Sequence, residues 1–554
     1  MRIVFGSTVV MLAAVTTLLG CTDPKTETAA DTVTIVKETQ AAWVRNFNPL
    51  VAPSLSRWPT TCGIYEPLMI FNVMEDRYVP WLAENYTLSD DNLELRFELR
   101  EGVRWSDGAP FRASDVVFTF ELLRAHRALD LEAVWTFLAS VAAPDERTVV
   151  FRFRRPFVPG LVYLAHQPIV PEHAWRDVAN PVTYANEHPV GTGPFTEVRQ
   201  FREQVFVLGR NPYYWMKDAP AVDALRFPAY SGNDQANLAL IHGEVDWSGN
   251  FVPAVERTFV AKNPEHRSYW FPLVGNMAML YTNNSHPVLA SAAVRKALSR
   301  AIDRSLVAEV AMYGYTRPAD ATALSDAYAH WRVPAVLAED DWTRYDPHRA
   351  AEELDQLGYV RDEDGRRHLP SGEPMTFELL VITGWSDWIR AAQIVARQLA
   401  ELGIDVRIVT YDRPTWFDRM QRGTFDLAIG WTVQGPTPYI FYRGLMSSDQ
   451  YAAVGQPAPL NWHRFSDPTL DAVFDGFERA GDRAEQERLA LEMQRAFVRH
   501  APSLPLFPNP PWGTYNDERI VGFPDADDPY AKLTPNDYTQ PLLVLTRLRP
   551  RSKP

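Results

Sequence analysis

Residues 32–36 (TVTIV) alternate in polarity and predict a first strand. Residues 93–99 (LELRFEL) alternate over their whole length and predict a half-buried strand. The segment 102–108 (GVRWSDG) reads as a turn, and Ser114-Asp115 as the cap of a helix through Val116, Val117, Phe120 and Leu123. Alternation returns at 149–153, and 189–194 (PVGTGP) reads as a tight loop. Further on, Val294, Leu298, Ile302, Leu306 and Val310 recur every fourth residue and predict one long amphipathic helix over 292–310. Residues 377–382 then read as a strand, 389–402 as a helix stopped by Gly403, and 404–409 and 425–430 as strands. Strand, helix, strand at these lengths is the βαβ unit of a parallel sheet. The first half is thus strand-rich mixed α/β, and the second half holds a βαβ domain.

A chain of 554 residues exceeds what one core organises and implies at least two domains. Its 46% hydrophobic and 22% charged residues are ordinary globular usage and exclude a disordered or coiled-coil chain. The 44 prolines exceed the roughly 5% of average usage and are spread out, so they predict many rigid turns. A net charge of −14 with no basic block argues against nucleic acid as a partner, because that affinity rests on neutralising phosphates. The 17 tryptophans leave some for a stacking surface after the core is filled.

Arg2 and the apolar stretch 4–19 lead into Leu18-Leu19-Gly20-Cys21. This resembles a bacterial lipoprotein signal, which predicts a leader over 1–20, lipid attachment at Cys21, and an exported, membrane-anchored protein on the periplasmic side. Thr22 after the lipid cysteine resembles outer-membrane sorting in Gram-negative bacteria. Residues 21–31 read as a polar tether. Cys62 is then without an intrachain partner and reads as a buried small hydrophobe.

Catalytic signatures are missing from the sequence: it holds no G-x-S-x-G, H-E-x-x-H or P-loop motif. His166, His173 and His188 lack metal-ligand spacing. No cofactor or metal is expected, and binding is favoured over catalysis.

Several passages together resemble the family 5 extracellular solute-binding proteins, the receptors of ABC importers for peptides, nickel and oligosaccharides. They are IYEPL at 64–68, LAEN at 82–85, LREGVRWSDG at 99–108 with FRASDVVFTF at 111–120, VGTGPF at 190–195, NPYYW at 211–215 and VRKALSRAIDR at 294–304. The resemblance implies an α/β, two-lobed periplasmic-binding-protein-like fold of type II, in the large class with an extra subdomain in lobe I. Lobe I would take 32–64, 195–283 and 513–554, the inserted subdomain 65–194, and lobe II 284–512. Crossings are expected near 281–284 and 507–515, with ligand trapped by hinge closure. The implied partners are a small oligomeric ligand, an ABC permease and ATPase complex, and the membrane through the lipid anchor. The protein is expected to be a monomer and not an enzyme.

Within the family the sequence is most similar to the branch that binds chito- and cello-oligosaccharides, on VRNFNP at 44–49, GNDQ at 232–235, VDWS at 245–248 and GWSD at 384–387. Sugars offer apolar C–H faces and hydroxyl edges, which call for flat aromatic platforms and polar side chains. The resemblance therefore nominates Trp385, Trp431, Arg45, Asn46, Asn233, Ser248 and Asp387 as ligand residues. Trp385 reads either as a platform or as a core cap, and Asn46 either as a contact or as turn chemistry. The sequence departs from that branch at 431–438 (WTVQGPTP) and at 522–524 (GFP). Peptide-binding members hold an α-ammonium with an aspartate in the loop after the 425–430 strand, yet 431–445 contains no Asp or Glu. That favours a neutral oligosaccharide, with an oligopeptide as the alternative and Asp412 as its substitute anchor. A secreted hydrolase and a membrane sensor remain open readings of the same residues.

The lipid reading has a direct test. Cys21→Ser should move the protein from the membrane to the soluble fraction, because two acyl chains anchor stably. A variant still membrane-bound in high salt would show that another element anchors it.

Overall fold

The structure, a computed structural model, describes residues 31–51 and 60–551, the side chains of 61 and 62 apart. The expected leader, most of the expected tether, Cys21 and the Cys62 side chain lie outside the described residues. Two sheets organise the molecule. The first has seven strands in the order Arg267–Tyr269, Thr514–Asn516, Trp247–Ser248, Thr32–Val36, Ala224–Pro228, Val205–Arg210 and Phe195–Arg202. Thr32–Val36 is buried at every position and runs parallel to both neighbours. Its apolar residues Val33 and Ile35 share one face, but packing covers its polar face as well.

The second sheet has five strands in the order Asp405–Tyr411, Thr376–Ile382, Leu427–Trp431, Met277–Thr282 and Leu504–Pro508. The βαβ unit expected there is present, with helix Ser386–Glu401 between two parallel strands. Gly403 ends that helix at φ +78, and a Cβ there would lie 2.2 Å from the Gly365 carbonyl oxygen.

A third, antiparallel sheet forms the inserted subdomain, in the order Ala83–Leu88, Glu94–Leu99, Thr148–Phe153 and Leu138–Ala142. Helix Ala113–Ala125 packs on it, with the Phe120 ring 4.8 Å from Phe151. The cap of this helix differs from the sequence reading. Arg112 is the first cap residue, and Asp115 reaches back to accept its backbone N–H at 2.9 Å. The same carboxylate accepts the Trp105 indole N–H at 3.2 Å and the Glu172 N–H at 3.0 Å, so it joins three segments. The subdomain also meets the second lobe, where the Val158 N–H donates to the Glu478 carbonyl at 2.7 Å.

Two further expectations are corrected. The chain leaves the first sheet after Tyr269 and has entered the second by Met277, ahead of the crossing expected near 281–284. Tyr281 and Thr282 pair with Ala428 and Leu427, so they belong to the second sheet. The second crossing, between Pro508 and Thr514, falls where it was expected. The long helix over 292–310 is broken into Ala292–Arg300, Arg304–Leu306 and a π-helical turn Val307–Ala311, and Val310 is 46% exposed. Asp303 starts the second piece by accepting the N–H groups of Ser305 and Leu306 at 3.0 and 3.1 Å. The buried Arg304 guanidinium takes up carbonyls of the broken turn, Ser299 at 3.0 Å and Ile302 at 3.3 Å, and bonds Pro505 O at 2.6 Å. The fourfold spacing recorded an apolar face that is buried as far as Ile302, and capping side chains interrupt the backbone beneath it.

Arg304→Met should therefore cost about 3 kcal/mol or more, since it leaves several buried carbonyls without donors. Denaturant unfolding measures this, and Arg304→Lys should recover only part of the loss. A cost below about 1 kcal/mol would show that the carbonyls find other partners.

Candidate functional site

The carboxyl ends of the parallel strands in the two sheets face each other. From the first sheet, the turns after Thr32–Val36, Ala224–Pro228 and Trp247–Ser248 supply Glu38, Asn233 and Asn250. From the second, the turns after Thr376–Ile382, Asp405–Tyr411 and Leu427–Trp431 supply Trp385, Arg413 and the residues past Trp431. The two sets touch: the Asn233 N–H donates to the Gly384 carbonyl at 3.1 Å. Open α/β sheets bind ligands beyond the carboxyl ends of their strands, so this cleft is the candidate site.

Its second-lobe wall is aromatic in two layers. Trp385 and Trp431 lie 6.0 Å apart, centroid to centroid, inclined at 34°. Trp388 packs edge-on to Trp385 at 4.9 Å. Trp416 stacks on Trp431 at 4.9 Å, Phe417 lies nearly parallel to it at 6.3 Å, and Trp462 meets it edge-on at 6.0 Å. Trp388, Trp416 and Trp462 are buried, whereas Trp385, Trp431 and Phe417 are only half-buried. A buried ring layer thus holds an outer layer in fixed orientation. Such pre-ordered rings lose little freedom when a flat ligand face stacks on them.

Charge enters at one edge. The Arg413 guanidinium sits 5.9 Å above the Trp431 ring, and its Nε lies 3.4 Å from Glu38 Oε2 across the cleft. Lys37 flanks the same carboxylate at 3.6 Å.

The nominated residues separate into groups. Trp385 and Trp431 are together in the cleft. Asn233 and Asp387 are also there but bond to each other, with Asn233 Nδ2 donating to Asp387 Oδ1 at 3.4 Å and to Ser386 Oγ at 3.2 Å. Ser248 is fully buried in a network, its hydroxyl bonded to Asn250, whose amide donates to Asn237 Oδ1 at 2.7 Å. Arg45 donates to the Glu187 carbonyl at 3.1 Å, and Asn46 accepts the Asn48 N–H at 3.0 Å, which is turn chemistry. Asp412 is a helix cap on the solvent side, accepting the N–H and hydroxyl of Thr415 at 3.0 and 2.8 Å.

Sequence reading did not pick out Trp388, Trp416, Phe417, Trp462, Arg413 or Glu38. The one signal available for Glu38 was its place just past the first strand. The tryptophans come from separate segments whose meeting no local pattern encodes.

A second, open cavity of about 700 Å³ lies between the subdomain and the first sheet, lined by Asp107, Glu197, Arg199, Arg210 and Lys217 among others. Its lining includes none of the cleft residues named above, and the aromatic ring on its wall, Tyr214, has its hydroxyl bonded to buried Glu66 at 2.9 Å. Among the described residues no group of three or more His, Cys, Asp or Glu is placed to hold a metal ion, and no helix is long and apolar enough to cross a membrane.

Two lobes, two crossings and a cleft between strand ends define a clamshell binding protein. The chain belongs to the bacterial extracellular solute-binding proteins, family 5, whose middle region matches residues 77–453. That family consists of solute-binding proteins rather than enzymes. A curated relative from Brucella ovis, named a putative ABC transporter peptide-binding protein, is 28% identical over 484 residues, covering 85% of this chain and 84% of its own. The structure of a Thermotoga maritima periplasmic oligopeptide-binding protein with bound mannohexaose has a TM-score of 0.87 at 26% identity, covering 95% of this chain and 99% of that one. The Helicobacter pylori protein DppA in complex with the peptide STSA shares the fold, with a TM-score of 0.75 at 20% identity, covering 94% of this chain and 98% of that one.

Burial pushes the Asp387 carboxyl up from 3.8 to about 6, although the backbone N–H groups of Asp387 and Trp388 and the side chains of Trp512 and Asn233 oppose the shift. A raised folded-state value costs no stability below about pH 4, where the group is protonated in both states, and its full penalty above about pH 6. Wild type should therefore lose stability relative to Asp387→Asn as pH rises from 4 to 7, by about 3 kcal/mol at most. Thermal unfolding of both proteins across that range measures it. Parallel pH profiles would mean the carboxyl is solvated.

Proposed function

We propose that this chain is the ligand receptor of an ABC importer and captures a neutral oligosaccharide between its lobes. The observation that carries this reading is the pair of half-buried indoles, Trp385 and Trp431, held in place by a buried ring layer. Sugar C–H faces stack on such rings, and an ordered platform avoids an entropy cost on binding. The Thermotoga protein supports the reading, since it carries mannohexaose while named an oligopeptide-binding protein. The loop 431–445 offers no carboxylate for an ammonium, and the Asp412 carboxylate is engaged as a helix cap. Export, and anchoring at Cys21 as a monomer, complete the proposal.

One observation favours a second reading, an oligopeptide receptor. Glu38 and Arg413 oppose each other across the cleft, and on parting they would offer partners for an ammonium and a carboxylate.

Calorimetry separates the two. Mannohexaose, cello- and chito-oligomers should bind with weak salt dependence, because no ligand charge is neutralised. Trp385→Ala should remove about 2–4 kcal/mol, the range for a buried aromatic anchor, which is roughly 30- to 700-fold in affinity. Tri- to pentapeptides that bind tightly and still do so in Trp385→Ala would overturn both the ligand class and the platform.

A further inference from the structure

Beside Trp385, inside the cleft, the two lobes meet backbone to backbone. A Cβ on Gly232 would lie 3.3 Å from Gly384 Cα, and one on Gly384 would lie 2.7 Å from the Ser231 carbonyl oxygen. Gly384 has no room for a side chain, and at Gly232 a Cβ would fit only if its neighbour gave by a few tenths of an ångström. The Asn233 N–H, at the start of helix Asn233–Ile241, donates to the Gly384 carbonyl across this contact at 3.1 Å. The Asn233 amide reaches on to Ser386 Oγ and Asp387 Oδ1. Asn233 and Asp387 are 4% and 3% exposed, and the Trp512 side chain, on the second crossing, also bonds the Asp387 carboxyl.

These bonds link the turn after a first-sheet strand to the turn after a second-sheet strand. Such groups are buried only while the lobes are together. When the lobes part, water takes over each hydrogen bond, so the net contribution of the contact to closure is small. A small bias of this kind suits a switch that a ligand must tip.

We infer that Gly232, Asn233, Gly384 and Asp387 form a clasp that sets how far and how firmly the lobes close, and that Asn233 and Asp387 are positioning residues acting on each other rather than on the ligand. The inference rests on capture between the lobes and not on the ligand being a sugar. Gly232 is the clean probe. Its φ of −167 is extended backbone open to any residue, so a side chain there burdens only the gap between the lobes. Gly384, at φ +84, would be strained within its own lobe as well.

The first experiment needs no ligand. In the full chain carrying Cys21→Ser and Cys62→Ser, the pair Asn233→Cys and Ser386→Cys is oxidised and digested, and the cross-linked peptide is sought by mass spectrometry. Cross-linking, with small-angle scattering as compact as this structure, is the expected result. Failure to cross-link would overturn the clasp whatever the protein binds. The second experiment uses mannohexaose with Gly232→Ala and Gly232→Val. Affinity should fall severalfold and then at least tenfold, through faster release, while the thermal midpoint of the unliganded protein stays put. Unchanged release rates in Gly232→Val would overturn the clasp. If wild type ignores mannohexaose, that sugar is not its ligand and the cross-linking result alone decides.

Discussion

Everything about the cleft depends on how the chain passes between the sheets. Both crossings leave from paired strands and arrive at paired strands: Tyr269 faces Thr514 in the first sheet, and Met277 faces Pro508 in the second. Between them the crossings bond to each other, with the Trp270 N–H donating to Gly513 O at 3.0 Å and the Asn509 N–H to Asn276 O at 2.8 Å. The two connections therefore form a single narrow ribbon, and Gly275 has no room for a Cβ, which would lie 2.4 Å from the Asn509 carbonyl oxygen. Pro510 and Pro511 stiffen one edge. Phe271 and Trp512 meet edge to face at 4.9 Å and pack around the ribbon. Lobes joined by such a ribbon open and close about it, which keeps the facing strand ends in register.

That register explains why the chemistry of the cleft is divided between the lobes. The second lobe contributes the layered aromatic wall. The first lobe contributes polar groups at its strand ends, Glu38, Asn233 and the Ser248–Asn250–Asn237 network. Among the polar contacts that span the gap, one lies at the Arg413–Glu38 pair above Trp431 and one at Asn233 and Asp387 beside Trp385. The second buries a carboxyl among neutral donors, which raises its pKa.

The broken helix after Ala292 shows the limit of periodicity. Apolar residues at every fourth position form one buried stripe from Val294 to Ile302, but Leu306 is half-buried and Val310 exposed. Asp303 and Arg304 follow one another in the sequence, and the carbonyls that Arg304 holds include Pro505, some two hundred residues away. A local pattern records which faces are apolar and does not record which distant acceptors will draw an arginine inward.

The sequence by itself determined the strands Thr32–Val36 and Thr376–Ile382, the helix Ser386–Glu401 with its glycine stop and the two-lobed class, and it nominated the two indoles Trp385 and Trp431. These rest on short-range chemistry: alternation, capping, and motifs whose residues are neighbours in the chain. Tertiary structure alone decided that Trp388, Trp416 and Trp462 would back those indoles, and that Arg413 would meet Glu38. It also tied Arg45 to the distant Glu187 carbonyl, turned Asn46 toward its own loop and made Asp412 a cap. Each of those outcomes depends on which segments the two sheets bring within a few ångströms of one another, and that follows from long-range strand pairing, which no run of neighbouring residues encodes.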